Sequence, residues 1–298
     1  LVITGIDPSL YKLLPSLVPD NASTLHFVDY TAQRVLAQQK LLEMVPAEQI
    51  ESHLILTLAD DNVGILPQSA ATSLEQLVSH LKKRTWSGFS TRYWIPAELD
   101  PDIYYLSRAS WDETLTAEAA HKELWTTATG NASAANRLWL ARQHLENATN
   151  LIDKNDLGFA FPVQGMLMKH YNAEPIPEWW ENVNELYTQY MIELYRANGA
   201  VSGDARPILF YYAKRGEYVL EYLAAVRAVR EASLADKAGD TEMAIEQLEV
   251  ALEQMYNCIN TFADVARDQS DRGLIAVLNA YAYRPLVAKY EQLTDGEP

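Results

Sequence analysis

The sequence predicts an α/β region followed by an all-helical one. Three observations carry this. Short β-rich apolar runs recur through the first hundred residues, their starts spaced by roughly 23, 29 and 35 positions, the spacing of βα units in a parallel sheet. Amphipathic helical patterns lie between those runs. Beyond residue 100 no strand-like alternation returns. The expected division is a partial (β/α) barrel over 1–112 and an all-helical domain over 113–298, and 298 residues give room for about two such units.

The elements follow in order. Leu1–Gly5 is a buried-type strand run, ending at Asp7-Pro8. A short helical stretch, Ser9–Leu17, leads to the second run, Thr24–Val28, which ends in Asp29-Tyr30. Thr31–Met44 reads as one helix with Val35, Leu36, Leu41 and Leu42 on its apolar face. His53–Ala59 is the third run and ends in Asp60-Asp61-Asn62. Ser73–Arg84 carries the stripe Leu74, Leu77, Val78 and Leu81. Gly88–Ile95 is the fourth run, with Glu98 just after it.

The helical part begins with Thr116–Thr127 and Ala132–Ile152. Gly158–Pro177, rich in Pro and Gly, interrupts the pattern. Glu178–Asn198, Ile208–Ala235, Thr241–Asp268 and Leu274–Leu293 complete it. Gly199, Gly239 and Gly273 fall at expected helix boundaries, and Asp240 is a candidate N-cap. The apolar loop Gly158–His170 must pack against something, either as structure or as a flap that brings Lys169 or His170 to a ligand.

Composition narrows the function. Lys and Arg total 24 against 40 Asp and Glu, a formal charge of −16, which argues against nucleic acid or an anionic membrane as partner. No run approaches the ~18 apolar residues of a membrane helix. The single cysteine, Cys258, excludes an internal disulfide and a cysteine-rich metal site, and reads as core. The six histidines are scattered without a zinc-binding spacing, so neither a metal nor a cofactor is expected. The sequons at Asn21, Asn131 and Asn147 carry little weight, and localisation and oligomeric state stay open.

A doubly wound nucleotide site usually has a glycine-rich first turn. Here that turn is Gly5-Ile6-Asp7-Pro8-Ser9, and no phosphate-binding loop occurs. Four consecutive units ending in acids fit the second half of a TIM barrel instead, whose strand ends converge on one mouth. Asp7 and Asp29 could also cap the helices that follow. Asp60-Asp61 is less readily explained as capping. Arg92, inside an apolar strand, needs a partner: an ion pair within the barrel, or a substrate group. Tyr30, Tyr93 and Trp94 offer flat faces beside these acids, a combination suited to sugars. The expected site is therefore Asp60, Asp61 and Glu98 as catalytic carboxylates, with Asp29, Tyr30, Asn62, Arg92, Tyr93 and Trp94 contacting a carbohydrate.

The four terminal βα units with acidic ends, then Trp94 and Glu98-Leu99-Asp100-Pro101, then a long helical region, resemble the C-terminal part of barrel-type glycoside hydrolases with an appended helical domain. α-Glucuronidases, α-N-acetylglucosaminidases and related hexosaminidases share that layout. The resemblance covers the whole chain as architecture and matches no family motif residue by residue. It implies hydrolysis by two carboxylates, one protonated and one acting as nucleophile or base, with an acidic or N-acetylated sugar as the expected class. Many such enzymes carry the acid on the fourth strand, which would precede Leu1. The chain therefore reads as part of a longer protein holding half of a site. The alternative is a non-enzymatic helical interaction or scaffold protein with an α/β appendage. A barrel lyase or isomerase is a third reading, and divalent-metal dependence would favour it.

Overall fold

A computed structural model describes residues 1–5, 7–59, 61–92 and 98–295, the side chains of residues 61 and 63 excepted. The chain divides into two compact units, residues 1–60 with 68–124, and residues 61–67 with 125–298.

The first unit is built on four parallel strands: β1 (Val2–Thr4), β2 (Thr24–Phe27), β3 (Ser52–Thr57) and β4 (Gly88–Arg92), in the order β1-β2-β3-β4. Each strand is added beside the one before it, the arrangement of a partial α/β barrel. The register places Ile3, His26, Leu54 and Phe89 in one row. Ile3, His26, Leu54 and Leu56 are buried, and so belong to the covered face. The alternate residues present the other face, because side chains on a strand alternate. There Val2, Thr4, Ser90 and Arg92 are exposed, Val2 to 63%, and Leu25, Phe27 and Ile55 are half-buried.

The connecting helices follow the expected stripes with one departure. The segment expected as a single helix over 31–44 is two, α2 (Ala32–Ala37) and α3 (Gln39–Met44), broken where Gln38 takes φ −100° and ψ 31°. Thr31 caps α2 by accepting a hydrogen bond from the Arg34 amide at 3.2 Å. Upstream, Asp7 accepts from the Ser9 amide at 2.9 Å and opens the turn that leads into α1 (Leu14–Leu17), the capping role open to it in the sequence. α4 (Ala71–Lys83) buries Leu74, Leu77, Val78 and Leu81.

The sheet unit extends past residue 112. α5 (Asp100–Ala109) is followed by α6 (Ala117–Thr129), and the boundary between units falls within α6, after Leu124. Side chains hold the start of α6 to the sheet unit. Glu75 of α4 accepts from the Ala117 amide at 2.6 Å. Arg108 and Tyr104 of α5 both reach Glu123.

In the second unit α7 (Ala132–Asn155), α8 (Trp179–Gly199), α9 (Arg206–Ala238) and α10 (Thr241–Ala263) pack in sequence, each on the next. Gly239 ends α9 in the left-handed region at φ 82°, and Asp240 caps α10 by accepting from the Met243 amide at 3.0 Å. Cys258 is fully buried, and burial pushes its thiol well up. Gly273, expected at a helix boundary, lies inside α11 (Gln269–Val277).

A single helical path joins α11 to α12 (Arg284–Thr294) through a π-helical stretch, Leu278–Tyr283. Pro285 has no N–H to offer the Tyr281 carbonyl, and the Gly165 amide supplies one at 3.0 Å. Among the described residues no helix is long and apolar enough to cross a membrane.

Candidate functional site

Four parallel strands bring their carboxyl ends to one edge of the sheet. Thr57, the last residue of β3, pairs with Arg92, the last of β4. Asp29 follows β2 by two residues.

Both oxygens of the Asp29 carboxylate are engaged. One accepts from the Tyr30 amide at 2.7 Å and pairs with Arg34 Nε at 3.3 Å, and the other accepts from Gln38 Nε2 at 2.9 Å. The Arg34 guanidinium also sits over the Tyr30 ring at 6.0 Å, and Phe27 meets that ring edge-on at 5.1 Å. Tyr30 keeps 38% of its surface exposed, enough for its ring to meet a ligand. Arg92 is exposed at the strand end.

Glu98 is 2% exposed, just ahead of α5. Asp100 and Asp102 follow in the first turn of that helix, where the peptide dipoles favour negative charge. Asp102 is completely buried, with His121 Nε2 of α6, equally buried, 3.5 Å from its Oδ1. The sequence carries a signal for this pair, because His121 stands on the apolar stripe Ala117, Ala120 and Leu124 of α6. A histidine on such a stripe needs a polar partner.

Asn62 requires a correction. Expected to contact substrate, it is fully buried, and its amide is occupied at both ends. Its Nδ2 donates to the Leu157 carbonyl at 2.6 Å, and its Oδ1 accepts from the Ala160 amide at 2.8 Å. The segment 61–67 that contains it belongs to the helical unit. Asp60, Tyr93, Trp94 and the side chain of Asp61 lie outside the described residues.

His170 is also fixed in place. It is buried, its Nε2 donates to the Phe159 carbonyl at 3.0 Å, and its ring rests 5.1 Å from that of Phe159. Burial first, then the Lys169 charge, holds its pKa down to about 3, which keeps it neutral. The loop Gly158–His170 therefore packs its histidine inward.

A cavity of about 620 Å³ lies in the sheet unit between α4, β4 and α5. Its lining runs along β4 from Gly88 to Thr91 and includes Trp86, Leu81 of α4 and Leu106 of α5. Among the described residues no group of three or more His, Cys, Asp or Glu is placed to hold a metal ion.

No protein-family model matches the chain, and no curated protein is similar to it in sequence. The fold is similar to that of a solved GH138 enzyme targeting pectin rhamnogalacturonan II, with a TM-score of 0.57 at 10% identity. The match covers 99% of this chain and 56% of that one, so this chain spans about half the length of the glycoside hydrolase whose fold it shares.

Proposed function

We propose that this chain is part of a glycoside hydrolase. The observation that supports the reading is the fold, four parallel strands with intervening helices followed by a long helical region, which is similar to that of a solved glycoside hydrolase. In this reading Asp60 or Asp61 and Glu98 form the carboxylate pair across the glycosidic bond. One is protonated and delivers a proton to the leaving oxygen. The other attacks the anomeric carbon or activates water. Arg92, Asp29, Tyr30, Tyr93 and Trp94 contact the sugar, the guanidinium meeting a carboxylate or hydroxyl and the rings meeting C–H faces. Asn62 is left out of the contacts, its amide being committed to backbone.

The test is release of reducing ends from rhamnogalacturonan II oligosaccharides by the longer protein that contains this chain, as the wild type and with Asp60→Asn, Asp61→Asn or Glu98→Gln. Each catalytic carboxylate is expected to be worth about 100-fold or more in kcat, with thermal unfolding unchanged. A wild type that neither cleaves nor binds these oligosaccharides, or three variants that match it, ends this reading.

A further inference from the structure

We propose that the cavity between α4, β4 and α5 is a binding site for a small aromatic carboxylate, with Lys82 meeting the carboxylate and Trp86 and Phe89 meeting the ring. The site lies wholly within the sheet unit and stands independently of the hydrolase reading.

The cavity is a gap in the layer that covers the sheet. Leu54 and Leu56 of β3 pair with Phe89 and Thr91 of β4, so all four share the covered face. Leu54 and Leu56 are exposed by no more than 1%, whereas Phe89 and Thr91 are only half-buried. Protein interiors are packed like organic crystals, so such thinning is unusual. The resulting space of about 620 Å³ is the size of a small-molecule pocket.

Its walls are mostly apolar, and Trp86 is fixed in one of them. α4 gives way to a turn in which Thr85 takes φ 55°, a left-handed conformation that a β-branched residue rarely adopts. Strain of this kind gathers at ligand sites. The Trp86 amide then bonds back to the Leu81 carbonyl at 3.2 Å, and the indole meets the buried His26 ring edge-on at 5.4 Å. A rigid indole beside Phe89 suits a flat ring.

One end of the cavity is polar. Lys82 Nζ donates to the Ala109 carbonyl at 3.0 Å, which places the ammonium at the end of α5, where Ser107 and Ser110 also line the space. An ammonium has three hydrogens, so two remain. Among the described residues Lys82 has no carboxylate partner, and the lining holds no Asp or Glu in a chain that carries 40 of them. The carbonyl ends of α4 and α5 would repel an anion, and the Lys82 charge offsets them. A carboxylate completes this end by accepting the remaining hydrogens in charge-assisted bonds.

The test is calorimetric titration of cinnamate and its neutral amide, cinnamamide, into the longer protein that contains this chain. The wild type is expected to bind cinnamate at one site with a Kd on the order of 0.1–1 mM, and cinnamamide about 10-fold more weakly. Lys82→Met is expected to weaken cinnamate about 10-fold and leave cinnamamide unchanged, with the same unfolding midpoint. Lys83→Met, which removes the neighbouring charge outside the lining, is expected to bind as the wild type does. Ser107→Trp fills the space and is expected to abolish both titrations. A wild type that does not bind cinnamate, or binds the amide equally well, overturns the proposal. So does equal cinnamate affinity in Lys82→Met and Lys83→Met, or a folded Ser107→Trp that still binds. If Ser107→Trp does not fold, Lys82→Met decides.

Discussion

His53 on β3 and Gly88 on β4 are register partners, and the imidazole Nδ1 stands 3.1 Å from where a Cβ on residue 88 would lie. The histidine is held over the glycine by a 3.1 Å contact between its Nε2 and Glu51 Oε1. A branched side chain has to displace it. Gly88→Val is expected to cost roughly 1–3 kcal/mol in denaturant unfolding. His53→Ala should recover much of that loss in the double variant, and strict additivity of the two changes would sink the explanation.

Gly216 lies inside α9, where alanine normally improves a helix by about 1 kcal/mol. Here an added Cβ would stand 2.9 Å from Met191 Cβ and 3.1 Å from Met191 Cα on α8. The second atom is backbone, so α8 and α9 must separate. Gly216→Ala is therefore expected to lower stability by roughly 1–3 kcal/mol despite the gain in propensity. A rise in the unfolding midpoint would show that the helices have room.

Two buried histidines set an acid limit on the fold. Burial holds the His26 pKa down to about 4 and that of His170 to about 3, against an ordinary value of 6.5. Each is neutral in the folded state and gains a proton more easily once unfolded. Their contribution is complete above about pH 6.5 and is lost as the pH falls toward 4 and 3. By pH 5 each should have given up roughly 1–2 kcal/mol relative to pH 7.5. Replacing His170 with Gln should flatten its share of the slope in urea titrations at the two pH values. A parallel slope would place the proton uptake elsewhere.

Asp29 serves structure as well as any ligand. Its 2.9 Å bond from Gln38 Nε2 predicts a coupling of about 1 kcal/mol between Asp29→Ala and Gln38→Ala in unfolding free energy. If the carboxylate acts only on substrate, the cycle will close without a coupling term. The Arg34 pair adds a salt-sensitive part to the Asp29→Ala loss, visible as a smaller effect at 1 M than at 0.1 M salt.

The sheet and most helices were legible because their signals are local. A buried strand with a carboxylate after it reads the same whatever surrounds it, and Gly239-Asp240 marks a helix-to-helix turn by backbone preference alone. The break at Gln38 carries no such mark, having neither Gly nor Pro, and Gly273 misleads because a helix interior also tolerates glycine. The π-helical stretch depends on Pro285 and on an amide more than a hundred residues upstream. Asn62 misled for a similar reason. Beside two acids it resembles one more polar rim group, and only Leu157 and Ala160 reveal that its amide is committed. His121 could have been paired with an acid from its place on an apolar stripe, but not with Asp102 in particular.

The loop after β3 also has a place in time. Strand partners such as Val2 and Leu25, or His53 and Gly88, stand only a few tens of residues apart, so the sheet can grow strand by strand as the chain leaves the ribosome. The Pro67 carbonyl must wait for Tyr187, 120 residues later, which is on the order of ten seconds of synthesis. The segment 61–67 therefore settles with the helical unit to which it belongs, and a nascent chain stalled before α8 would hold a formed sheet with that segment still unanchored.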